Sequence, residues 1–317
     1  SKRGSSSWPS GCDHKAAAKA ATGPASTGAH ASAALRPFEL EDVMNLQRVV
    51  LGLGLQESAA AMTLATELAR SMRLQLLGLF VEDIDLLHFA GLPFAREVCL
   101  SSATSRQLDP NAMARALQQR AGEARRSLHR RLEGQSIEWT FEIVRGPVMP
   151  MLLGKALETD LLVAALPARA ARSAAQDIAT PLSQVRAARA PLLLVRDGPA
   201  RRAPVVVLGS PDASVQAVAT PVSALARQFG SPVVFLVVGE PGAGGEGERW
   251  EARVASQLAA DGVPVEFRHL PGDGDRLHEQ LVRIRPGLVA VAGAQALNEA
   301  ATLGLEKLDC TLLLLPS

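Results

Sequence analysis

Tyrosine is absent from this 317-residue chain, and eight phenylalanines with three tryptophans bring the aromatic share to only 3%. So few rings give little platform for stacking single-stranded bases. Charge of one sign is lacking too: 33 Lys and Arg nearly cancel 32 Asp and Glu, leaving a formal charge of +1. That balance suits neither a nucleic-acid-seeking chain nor a disordered one. Long hydrophobic runs are also missing, since stretches such as 161–166 and 192–195 fall far short of the ~18 residues a membrane helix requires. No membrane insertion is expected. Cysteine is scarce: Cys12, Cys99 and Cys310 are odd in number and scattered, with no CxxC and no histidine at ligand spacing. Neither a disulfide framework nor a zinc site follows, and a reducing cytoplasm is the expected location.

What is present is a 47% hydrophobic composition, with length for two domains of roughly 100 to 200 residues each. Residues 1–43, rich in Ser, Ala and Gly and without period, read as a disordered leader. Met44, standing before the first strand, is a candidate natural start. From Gln47 the pattern alternates: strand 49–53, a helix with Ala61, Leu64, Ala65 and Leu68 at helical spacing, then strand 76–81. Asp109-Pro110 caps a helix carrying Met113, Leu117, Ala121, Ala124, Leu128 and Leu132 on one face. Strand 137–144, helix 148–158, strand 161–165, a helix near 172–187 and strand 192–195 follow.

The pattern then starts again. Leu68-Ala69-Arg70 with Leu76, Leu77 and Leu79 is echoed at one constant offset by Leu225-Ala226-Arg227 with Val233, Val234 and Leu236. Strands 205–208, 233–238, 263–269, 288–292 and 312–315 alternate with helical stripes through Val215, Val218, Val222 and Leu225, through Trp250, Val254 and Leu258, and through Leu277, Leu281 and Ile284. The expected organisation is a leader 1–43, a first domain 44–198, a linker 199–204 and a second domain 205–317. The expected fold is α/β, two tandem five-stranded open parallel sheets covered by helices on both faces.

In this arrangement the chain resembles the universal stress protein family in its tandem form, across about 47–316. Each half runs a first strand into a small-residue turn (Gly52-Leu53-Gly54 with Ser58; Gly209-Ser210 with Ser214) and a later strand into a glycine turn (Arg145-Gly146-Pro147; Pro271-Gly272-Asp273), and ends in an aliphatic strand. The resemblance implies an adenine nucleotide α-hydrolase-like fold, with nucleotide contacts at Gly54, Val81, Gly146, Ala165, Arg169, Arg172 and Thr180. Nucleotide-binding members of the family usually place an Asp at the end of the first strand and a Gly-x2-Gly-x9-Gly-Ser/Thr loop after the fourth. Here the Asp positions read Gly54 and Gly209, and the first loop reads Ala165-Leu166-Pro167-Ala168 with Ala179-Thr180. Pro167 removes an amide donor. In the second half Gly293 stands near the strand end, but the stretch to Ala301-Thr302 is too short. Both ATP sites therefore read as degraded, with Arg169 and Arg172 as the candidate phosphate clamp in the first half.

Other motifs are weaker. Gly52-x-Gly54-x-x-Glu57 imitates part of a dinucleotide fingerprint but lacks the third glycine, and Gly154-Lys155 lacks the rest of a P-loop. His88, His129, His269 and His278 show no ligand spacing. The arginine-rich 115–131 stretch reads as a solvated helix face, or as a face for an acidic protein. The insertion 83–108 concentrates Leu86, Leu87, Phe89, Leu92, Phe94 and Val98, a surface for a hydrophobic ligand or a protein partner, or a lid over the first domain. The expected function is a non-enzymatic tandem universal-stress-like module, regulatory or ligand-sensing, that requires no cofactor. The alternatives are an ATP-binding switch with one working site in the first domain, or a nucleotide hydrolase. The resemblance also implies an internal pseudo-dimer through 191–195 and 311–315.

Overall fold

The structure, a computed structural model, describes residues 46–54, 58–98, 104–166, 190–196, 203–209, 214–238, 245–270, 275–292, 305 and 310–315. Its first half contains β1 (Arg48–Leu53), α1 (Ala59–Met72), β2 (Gln75–Asp83), α2 (Ile84–Ala90), β3 (Arg96–Val98), β4 (Ser105–Gln107), α3 (Pro110–Leu132), β5 (Trp139–Gly146), α4 (Val148–Lys155), β6 (Asp160–Ala165) and β7 (Leu192–Val195). The second half contains β8 (Val205–Gly209), α5 (Val215–Phe229), β9 (Val233–Val238), α6 (Glu246–Ala260), β10 (Val265–Leu270), α7 (Asp275–Ile284), β11 (Leu288–Ala292) and β12 (Thr311–Leu315).

Ten strands form one sheet in the order β10-β9-β8-β11-β12-β7-β6-β1-β2-β5. Every neighbouring pair is parallel except β12 with β7, which run antiparallel with Leu313 opposite Leu193. Read outward from that central pair, each half has its fifth, fourth, first, second and third strands in turn. The winding therefore reverses beside β1 in one half and beside β8 in the other, and crevices for ligands open at the carboxyl ends of such strands.

The strands read as nearly continuous apolar runs because both faces are covered. Alternate residues separate the two faces: Val49, Leu51 and Leu53 pack with α1 and α3, while Val50 packs with Leu152 of α4. In the second half Val205 and Val207 join α5 and α6, whereas Val206 and Leu208 join Leu277 and Leu281 of α7.

Local chemistry sets the helix starts. Ser58 accepts a hydrogen bond from the Ala61 amide at 3.0 Å, and Asp109 accepts one from Asn111 with Pro110 at the first helical position. The insertion holds more order than its sequence suggested: Asp83 caps α2, and β3 and β4 form a separate antiparallel hairpin. Alternation over three-residue strands is too short to read as a period.

Candidate functional site

The crevice of the first half lies at the carboxyl ends of β1 and β6. Gly54 follows the last residue of β1, and a Cβ built on it would stand 3.9 Å from both methyls of Val148. Two residues back, a Cβ on Gly52 would come within 3.1 Å of the buried Leu152 side chain. α4 thus slides against β1 because glycine lies beneath it, and it covers the strand end with aliphatic carbon. Gly146 is held at φ +156°, and a Cβ there would meet Met151 Cγ at 2.7 Å. Only glycine lets β5 turn this closely into α4.

Val81 lies inside β2, two residues before its end, and its side chain belongs to the core on the α4 face. Only its backbone can face the crevice. The residues that end β2 are polar. Glu82 is buried and receives Arg145 Nε at 3.0 Å and Nη2 at 2.8 Å, while Asp83 Oδ1 accepts from the Asp85 amide. The register places Glu82 directly opposite Arg145, so the pair is a cross-strand contact at the rim. Ala165 ends β6 beside Val195, and the Leu166 amide continues the ladder to Val195 O at 2.7 Å. Arg196, one residue past β7, is buried, a cation that the sequence reading passed over because nothing in its neighbours marks burial. Arg169, Arg172 and Thr180 lie outside the described residues, as do Pro167, Gly272, Gly293 and Thr302.

Register moves one expectation. Leu76 pairs with Val49 in the first half, and its echo Val233 pairs with Val205 in the second, so Gly209 corresponds to Leu53 and not to Gly54. The second-half counterpart of Gly54 is Ser210, outside the described residues. Gly209 instead faces α6, where the Trp250 indole stands 3.5 Å from a Cβ built on it. Trp250 is fully buried, edge-on to Phe235 at 5.8 Å and to Phe267 at 6.5 Å. The constant offset hid this shift because sequence spacing does not reveal a one-residue change of register.

Two cavities lie at the other end of the sheet, near the strand amino ends. One of about 1100 Å³ is lined by Gln47, Arg70, Arg73, Gln75 and Glu138, and one of about 570 Å³ by Pro204, Pro232, Pro264, Arg268 and Arg283. Neither touches the crevices where an α/β sheet of this winding takes its ligand. Among the described residues, no group of His, Cys, Asp and Glu is arranged to hold a metal ion, and no helix is long and apolar enough to cross a membrane.

No protein-family model and no curated protein matches the sequence. Solved structures do match in shape. A universal stress protein from Archaeoglobus fulgidus aligns with a TM-score of 0.55 at 12% identity, covering 84% of this chain and 96% of that one. A putative universal stress protein from Pseudomonas aeruginosa aligns at 0.54 and 12% identity, covering 86% and 94%. A functionally unknown protein from the same species gives 0.54 and 12%, covering 87% and 94%. Coverage of this extent runs through both halves of the sheet. The chain has the universal stress protein fold, a mostly parallel α/β architecture.

Proposed function

We propose that the chain is a tandem, non-enzymatic universal-stress-like module, regulatory or ligand-sensing, whose two halves are an internal pseudo-dimer and whose crevices do not take ATP in the manner of nucleotide-binding members of that family. The observation that carries this reading is the end of β1. Where those members present a carboxylate to the adenosine, Gly54 presents none, and Val148 lies 3.9 Å from the position of its missing Cβ. An adenosine hydroxyl there would meet methyl groups and lose its hydrogen-bond partner, a desolvation cost of about 1–3 kcal/mol.

Two further observations support it. The buried carboxylate at the rim, Glu82, is engaged by Arg145 and so is committed to holding β2 against β5. The strand order repeats in each half about an antiparallel β7–β12 pair, which suits two copies of one unit sharing a sheet and leaves neither last strand as an exposed edge.

Calorimetric titration of the full chain with ATP tests the reading, and no saturable heat is expected. Saturable binding that Arg169→Ala with Arg172→Ala abolishes would replace it with the single-site switch. Mass spectrometry of small molecules that co-purify with the chain then identifies what the crevice does hold.

A further inference from the structure

Phe89, Leu92, Phe94 and Val98 are 47%, 39%, 71% and 57% exposed, four of the seven large exposed hydrophobics among the described residues. They fall within ten residues of sequence, on α2, the turn after it and β3. Scattered exposed apolar side chains need no explanation, but a group of them does.

The segment is held by its backbone. The Leu92 amide donates to Phe89 O at 3.0 Å, the Ala95 amide to Leu92 O at 3.1 Å, and the Leu108 amide to Ala95 O at 3.0 Å. Arg96 donates to the Ser105 hydroxyl, and Arg106 to Glu97, across the β3–β4 hairpin. α2 packs on α3, whose solvent side carries Arg115, Arg120, Arg125, Arg126 and Arg130. Residues 84–132 hold eight arginines against four acids, whereas the whole chain has 33 basic and 32 acidic residues, so the remainder is net acidic.

We propose that this face docks peripherally on an anionic lipid surface, with Phe94 and its apolar neighbours entering the headgroup boundary and Arg96, which shares its face of the hairpin with Val98, and Arg115 facing lipid phosphates and carboxylates. The charge excess of this one segment is complementary to such a surface. A fluid interface brings its own hydrocarbon, and a basic face beside exposed aromatic and aliphatic side chains is the pairing that interfacial binding requires. Nothing here depends on the reading of the nucleotide crevices.

The test is sedimentation of the full chain with vesicles of equimolar phosphatidylcholine and phosphatidylserine, against phosphatidylcholine alone. Wild type is expected to partition onto the mixed vesicles only. Phe89→Ser with Phe94→Ser should weaken that partition by about tenfold or more, from the apolar surface removed. Arg96→Gln with Arg115→Gln should weaken it by about thirtyfold, from about 1 kcal/mol per arginine. Thermal melts of both variants should match wild type, because these side chains are exposed. Absence of phosphatidylserine-dependent partition overturns the proposal. So does partition that the phenylalanine pair leaves unchanged, and so does failure on vesicles combined with binding of soluble polyglutamate, which assigns the face to an acidic protein.

Discussion

At the level of Leu53 the two halves of the sheet fill one space in two ways. In the first half the strand itself supplies the volume, with Leu53 buried against α1 and α3. In the second half the strand supplies Gly209, and the helix supplies Trp250. A glycine on the strand is thus matched by a large side chain on the helix, which is how a close-packed interior keeps its density. The backbone layout repeats because strand order and winding repeat, while side-chain identity is free to drift wherever a neighbour compensates.

The sharpest way to break this comparison is to remove the indole. Trp250→Ala should lower stability by about 4 kcal/mol, since it opens a cavity ringed by Phe235 and Phe267. Gly209→Leu alone should also destabilise, by about 1–3 kcal/mol, by driving a side chain into the indole. The two together should cost clearly less than their sum if the second half can be returned to the first half's solution. Denaturant midpoints for the four proteins decide it, and strict additivity would show that the two positions do not share one space.

A second contrast concerns charge. In the first half Arg48 donates to both oxygens of Asp160, at 3.0 and 2.6 Å, and the Leu157 amide adds a third hydrogen bond to a carboxylate only 1% exposed. The hydrogen bond to Asp160 is the largest cause holding Arg48 above its ordinary pKa, so the contribution of the arginine is lost only as pH rises into the guanidinium range. In the second half Arg268 makes the same two-point contact with Glu266, but on the surface. That hydrogen bond holds Glu266 below its ordinary pKa, so its contribution is present above the usual carboxylate range and fades as pH falls through the lowered value. Arg48→Met should cost about 3 kcal/mol at neutral pH by stranding a buried carboxylate. Glu266→Gln should leave the neutral melt unchanged and remove only a weak, salt-sensitive dependence in acid.

The strands were legible in the sequence because parallel strands covered on both faces must be apolar throughout, and they announce themselves as runs such as 192–195; their order came only from the pairing. The cap at Asp109 was legible for the same kind of reason, a fixed geometry with a short chemical signature. The α2 turn and its hairpin were not, since three-residue strands have no period. Of the candidate site, the positions of two glycines were legible: Gly54 lies at a strand end and Gly146 at a turn only glycine allows. The side chain of Val81 lies in the core, and the continuation of its strand to Asp83 depends on pairing with β5, which no local signal records.

The smallest effect isolates the backbone alone. α1 ends with Arg73 at φ +55°, its amide donating to Ala69 O and Arg70 O, and α5 ends with Gly230 at φ +61°, donating to the equivalent Ala226 O and Arg227 O. Both helix ends make the same left-handed turn, yet only one uses the residue that enters it without a Cβ penalty. The first half therefore carries a cost of about 1 kcal/mol that the second avoids. Arg73→Gly should raise the denaturation midpoint, offset in part by the greater freedom of glycine in the unfolded chain. Gly230→Ala should lower it by about 1 kcal/mol, and since nothing lies within 4 Å of the added Cβ, that loss belongs to the dihedral and not to a clash. A fall in stability for Arg73→Gly would mean that the Arg73 side chain, on the wall of the larger amino-end cavity, makes a contribution exceeding its backbone cost.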